Sequence, residues 1–214
     1  MKKLKFSLIF LVSLLIFPTS GYSQFLGQLE TAPTLLRGSY SAGGYAGVYD
    51  DAFAIFGGFR FGATDYLDWG IKAGILNLDD ESGIILGGDL KYFVLDAGIG
   101  DPLDLSLGLG TEFSRIQDFS RFSLGGNMII SRDFCLENGR AISPYGRLNL
   151  RMERKSGEKT WGPQRYHKDV LPDTDLEMGL CVGTSFELTT RALLVGELQM
   201  DEFFGFIIGV NFLY

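Results

Sequence analysis

The stretch LDLSLGLGTEF, residues 103–113, sets Leu103, Leu105, Leu107, Leu109, Thr111 and Phe113 at every second position, with Asp104, Ser106, Gly108, Gly110 and Glu112 between them. A helix brings together residues three and four apart, whereas a strand sends alternate residues to opposite faces. The segment therefore reads as a strand with one apolar face and one face that is small or polar. In ISPYGRLNLRME, residues 142–153, Ile142, Leu148, Leu150 and Met152 oppose Ser143, Tyr145, Arg147, Asn149, Arg151 and Glu153. LEMGLCVGTSFEL, residues 176–188, sets Leu176, Met178, Leu180, Val182 and Phe186 against Glu177, Gly179, Cys181, Gly183, Ser185 and Glu187. The chain closes on FFGFIIGVNFLY, residues 203–214, where Phe204, Phe206, Ile208, Val210, Phe212 and Tyr214 share a face.

Extended along the chain, the period predicts ten strands, near 39–49, 52–62, 67–78, 83–95, 103–115, 119–131, 141–154, 175–188, 192–200 and 204–214. Strands in soluble sheets most often have about five or six residues, whereas about 9 to 11 cross a bilayer core at the usual tilt. A secreted sandwich would bury its apolar faces against each other. Strand length and a charged face rich in glycine and serine favour lipid outside and charge inside. Phe53, Phe61, Trp69, Phe113, Phe122, Phe186, Phe204 and Tyr214 fall on apolar faces, mostly near strand ends, the placement of an interfacial aromatic girdle.

Met1 to Ser23 has the layout of a secretory signal peptide: Lys2, Lys3 and Lys5, an apolar run from Phe6 to Phe17, then Pro18 and a cut after Gly21-Tyr22-Ser23. The run is too short to span a membrane as a helix. The expected organisation is a signal peptide at 1–23 and a single barrel domain at 24–214. Losing the three lysines leaves 16 basic against 26 acidic residues and moves the formal charge from −7 to −10, which argues against a nucleic-acid partner. Glycine, 29 of 214 residues, is about twice its usual share of about 7%. Cys135 lies in a connection and Cys181 in mid-strand, which favours free thiols without settling whether they pair.

Across residues 39–214 the pattern resembles the small integral outer-membrane β-barrel proteins of double-membraned bacteria, which are all-β, antiparallel, up-and-down transmembrane barrels. The resemblance implies about ten strands here, with eight as the alternative count. In that family the last strand carries an assembly signal. Gly209, Phe212 and Tyr214 match it, while Ile207 stands where a polar residue is usual. The resemblance further implies export to the outer membrane, contact with outer-membrane lipid and lipopolysaccharide, and insertion by the barrel-assembly machinery. Both termini are then periplasmic. The turns Ala63-Thr64-Asp65-Tyr66 and Thr189-Thr190-Arg191 fall on that side, the long connection 155–174 falls outside, and 132–140 is a long periplasmic turn.

By parity the lumen receives Arg60, Lys72, Lys91, Arg121, Arg147 and Arg151, with Asp68, Asp89, Asp104, Glu112, Glu153, Glu177, Glu187 and Glu197. Near-balanced signs in a narrow barrel predict a salt-bridged polar plug, with at most a narrow water path. The role expected is structural, surface-interacting or a narrow passage for small solutes. The alternative is a lipid-modifying or proteolytic barrel enzyme with its site at the outer rim. The one histidine, His167, lies in the 155–174 connection with Trp161, Arg165 and Tyr166, four candidates for an outer contact. No phosphate-cradling loop, zinc ligand set or calcium loop occurs, so no cofactor, metal or catalytic set is expected.

Overall fold

The computed structural model describes residues 28–49, 52–78, 81–117, 119–158, 169–200 and 204–214. The expected signal peptide and the contact candidates Trp161, Arg165, Tyr166 and His167 lie outside them. The strands are β1 (Tyr40–Tyr49), β2 (Ala52–Gly62), β3 (Leu67–Leu78), β4 (Glu81–Leu95), β5 (Asp104–Ile116), β6 (Phe119–Ser131), β7 (Phe134–Cys135), β8 (Ala141–Glu158), β9 (Asp169–Thr189), β10 (Ala192–Met200) and β11 (Phe204–Leu213). Each long strand pairs antiparallel with its neighbours, β1 pairs with β11, and β6 pairs with β8. Ten strands therefore close a ring and leave no edge, while the two-residue β7 only flanks β8. The count is ten rather than eight.

Two expectations change. The connection 155–174 shortens, because β8 runs on to Glu158 and β9 starts at Asp169, with Gly157 opposite Val170 and Glu158 opposite Asp169. The nine residues of 132–140 make a hairpin in which Phe134 and Cys135 pair with Ile142 and Ala141, and Leu136 N–H donates to the Arg140 carbonyl at 2.8 Å. A long turn is tolerated there because it satisfies its own backbone. Cys135 is exposed and Cys181 buried, and no disulfide joins them.

The apolar set faces outward on every strand of the ring. Leu109, Leu150, Leu176 and Ile75 are 64%, 52%, 69% and 61% exposed, and Phe53, Phe113, Phe122, Phe204 and Phe206 face out toward one end of the barrel. At the other end Tyr214 stacks on Tyr40 (5.1 Å between ring centres) and Tyr40 on Phe59 (5.9 Å). Trp69 continues this row against Phe59 (6.0 Å) and Phe61 (6.1 Å). The row crosses the β1–β11 seam, where Tyr40 and Tyr214 exchange backbone hydrogen bonds of 3.0 and 2.9 Å. The end that holds Tyr40 and Tyr214 is called the terminal mouth below, and the opposite end the far mouth.

Candidate functional site

A barrel this narrow has a lumen about the width of its own side chains, so what the inward positions carry decides whether the lumen is open. Three clusters fill it, and a strap from the N-terminal side closes the terminal mouth.

Ahead of β1, residues 28–35 turn into the lumen and 36–38 lead out of it. Leu29 and Ala32 are 1% and 0% exposed. Glu30 meets Arg60 Nε at 3.0 Å and Lys91 Nζ at 3.2 Å, and Ser41 Oγ donates to its other oxygen at 3.2 Å. Lys91 also donates to the carbonyls of Thr31 (3.1 Å) and Pro33 (2.8 Å) and pairs with Asp68 at 3.5 Å. Arg60 forms ion pairs with both Asp68 and Asp89. Ala32 N–H donates to Ser131 Oγ (3.0 Å), Leu35 N–H to Asp68 (3.2 Å), Gln28 Nε2 to Asp89 (2.9 Å), and Asn211 Nδ2 to the Leu29 carbonyl (3.4 Å). Gly62 gives the strap its way out, since a Cβ there would lie 2.8 Å from the Leu35 carbonyl oxygen. A cavity of about 30 Å³ remains beside Glu30, Tyr45, Phe56 and Lys72, room for a water or two.

The second cluster spans β8, β9 and β10. Arg147 Nη2 bonds Glu197 at 2.6 Å and Cys181 Sγ at 3.3 Å, and Tyr145 O–H (2.8 Å) and Gln199 Nε2 (2.7 Å) donate to the same Glu197 carboxylate. The third lies toward the far mouth, where Glu153 gathers Lys155 (3.3 Å), Arg121 (3.4 Å), Arg151 (3.9 Å) and the Ser123 hydroxyl (3.1 Å). Lys72 and Arg121 approach Glu112 at 3.9 and 4.0 Å, and Glu177 is buried on β9 opposite Arg151. Charge is not all that fills the lumen. Phe56, Ile85, Ile129, Val195 and Ile207 also point inward and are buried, so the expected polar plug is partly an apolar core.

Three inward tyrosines lie across from glycines. Tyr45 is opposite Gly209, Tyr49 opposite Gly205, and Tyr145 opposite Gly183. A Cβ at Gly205 would come within 2.6 Å of the Tyr49 ring, and one at Gly183 within 2.8 Å of the Tyr145 ring. These three glycines thus make room for rings lying along the lumen wall.

Of the residues read into the lumen by parity, Arg60, Lys72, Asp89, Lys91, Glu112, Arg121, Arg147, Arg151, Glu177 and Glu197 are buried there. Glu187 is not part of a charge cluster. It sits at the terminal mouth, where it accepts from the Ala141 N–H at 3.1 Å, because its place near the end of β9 puts it beyond the lumen's cations. Asp104 is likewise at that rim, accepting from the Ala97 N–H at 2.8 Å. Phe212 and Tyr214 face outward, while Gly209 faces inward beneath Tyr45. The sequence reading missed Glu30, Asn211, Gln199 and Lys155. Lys155 continues the parity of Arg151 and Glu153 and was legible, whereas Glu30 belongs to no strand and carried no periodic signal. Among the described residues no group of His, Cys, Asp and Glu is placed to hold a metal ion.

No family model and no curated protein matches the sequence. Among solved structures the chain is similar to the N-terminal β-barrel domain of Pseudomonas aeruginosa OprF, at 11% identity and a TM-score of 0.43, over 83% of this chain and 98% of that one. It is also similar to the KdgM porin, at 9% identity and a TM-score of 0.36 over 80% and 98% of the two chains. The Acinetobacter baumannii outer membrane protein Omp33 gives 8% identity and a TM-score of 0.36 over 84% and 99%. These likenesses are of architecture only and say nothing of what this chain does.

Proposed function

We propose that this chain is an integral outer-membrane β-barrel with a closed lumen, serving the envelope as a structural or surface-interacting protein rather than as an open pore or an enzyme. The observation that carries the reading is the outward belt. An exposed leucine in water forgoes about 1.5–3 kcal/mol of burial, and a soluble monomer keeps its apolar patches to a few hundred Å². Here the belt continues around the whole ring, and the backbone inside it is paired strand to strand, which is what a bilayer core demands. In this placement the terminal mouth is periplasmic. The belt contacts lipid and lipopolysaccharide, and Phe212 and Tyr214, both on the lipid face, present the assembly signal to the insertion machinery.

Closure rests on what fills the lumen. Arg147, Arg151, Lys91, Glu112, Glu153 and Glu197 are each less than 2% exposed, and the strap covers the terminal mouth. A narrow passage is the second reading, favoured by one observation. Ser106 Oγ, both amide atoms of Asn127 and Asn149 Oδ1 are buried without a hydrogen-bond partner among the described residues, and such atoms are normally satisfied by internal water. Planar-bilayer recording of the refolded mature chain, residues 24–214, decides between the two. We expect no sustained unitary steps from protein shown to be folded and inserted. Steady steps would replace the closed barrel with the passage.

A further inference from the structure

The strap is held as a ligand is held. Its carboxylate meets two cations, three of its backbone carbonyls (Leu29, Thr31 and Pro33) accept from Asn211 and Lys91, and two of its N–H groups donate to Ser131 and Asp68. These are contacts open to another peptide with one acidic side chain that follows the same bent course, since they use backbone groups and a single carboxylate. The wall that recognises them has internal supports of its own, since Asp68 and Asp89 orient Arg60 from the neighbouring strands β3 and β4. Lys91 is the telling group. It is 0% exposed, and three of its four acceptors belong to the strap, so when the strap departs either water or a peptide with oxygens in the same places takes over.

The strap leads into β1 by a turn in which the Gly38 N–H donates to the Gly62 carbonyl at 2.8 Å. It joins β1 through Gly38, whose φ of +82° is a conformation that favours glycine, and nothing lies within 4 Å of where a Cβ would be. Leu36, beside that hinge, is 78% exposed. Leu29 holds a φ of +50°, a region uncommon for residues other than glycine.

We propose that the terminal end of the lumen is a binding site for a short acidic peptide, occupied in this structure by residues 28–35 of the chain itself, and that a peptide of that chemistry arriving from the periplasm displaces the strap. Arg60 and Lys91 bind the acidic side chain, and Lys91, Ser131, Asn211 and Asp68 bind the peptide backbone. The proposal goes beyond the closed-lumen reading and does not depend on whether the barrel conducts.

Ala32, 0% exposed, reports on the strap. In the mature chain carrying Cys135→Ser, Cys181→Ser and Ala32→Cys, the new thiol is expected to resist a water-soluble maleimide. The synthetic peptide QLETAPTLL, the sequence of residues 28–36, should raise the labelling rate at least tenfold and saturably. The same peptide with glutamine in place of its glutamate should need at least ten times the concentration. In parallel, a fluorescent copy of the acidic peptide should bind the unsubstituted mature chain saturably, which keeps the test independent of the thiol. Fast labelling without peptide, no acceleration at any concentration, or equal action of both peptides would each overturn the proposal.

Discussion

Replacing Arg60 with methionine is expected to lower the stability of the refolded barrel by about 3–5 kcal/mol, the largest single effect in the lumen. Arg60 is 4% exposed and lies among Glu30, Asp68 and Asp89. Methionine fills most of the space but removes the one guanidinium that Glu30, Asp68 and Asp89 share, and an uncompensated buried charge costs far more than a lost surface pair. The urea midpoint of protein refolded in detergent reads the loss directly. Arg115→Met is the control. Arg115 is exposed on β5, where its Nε donates to the Gln117 carbonyl at 3.2 Å, and its replacement should stay within about 0.5 kcal/mol of the parent. Combining Arg60→Met with Asp89→Asn should recover part of the deficit, because the two groups share one network. Equal midpoints for Arg60→Met and the parent would mean that the cluster does not hold the terminal mouth.

The second large effect is expected at the seam. Gly209→Val should cost about 1–3 kcal/mol or more and cut the yield of folded barrel, because its side chain would enter space held by the Tyr45 ring and by the Gly44 carbonyl oxygen, 2.6 Å from the new Cβ. Ring atoms can turn away, but the Gly44 oxygen belongs to the pairing that closes the ring. Gly44→Val tests the same seam from the outside, where nothing lies within 4 Å of a new Cβ, and should fold as the parent does. If both valines fold alike, the tyrosine-over-glycine packing is not what constrains that wall. If Gly209→Val fails where Gly44→Val succeeds, the inward glycine has a packing role beside any part it plays in assembly.

Period two made the strands legible because each strand separates two environments, and the residues at 104–113 record that contrast at every step. The pattern fades where the contrast does. Beyond Lys155 and before Thr174 the sequence no longer alternates apolar with polar, so SGE and DVLPD read as a loop although β8 and β9 still pair there. Parity placed Arg60, Lys91, Arg147 and Glu197 on the inner wall, yet which cation meets which carboxylate depends on residues far apart in sequence, as with Arg147 and Glu197. The same parity was available for Phe56, Ile85, Ile129 and Ile207. The inner wall is therefore apolar at these positions as well as charged at others. The strap was beyond reach for another reason: Glu30 is fixed by partners on β2 and β4, not by any local pattern around it.

Whether the outward face lies in lipid is the claim on which the rest stands, and spin labels along β5 test it most directly. Labels at Leu105, Leu107, Leu109, Phe113 and Arg115, all pointing away from the lumen, leave the interior untouched. In vesicles, collision with oxygen should be high at Leu107 and Leu109, while collision with a water-soluble nickel complex should be lowest there and rise toward Arg115. Nickel reaching Leu109 as freely as Arg115 would contradict the account, because the apolar belt would then face water.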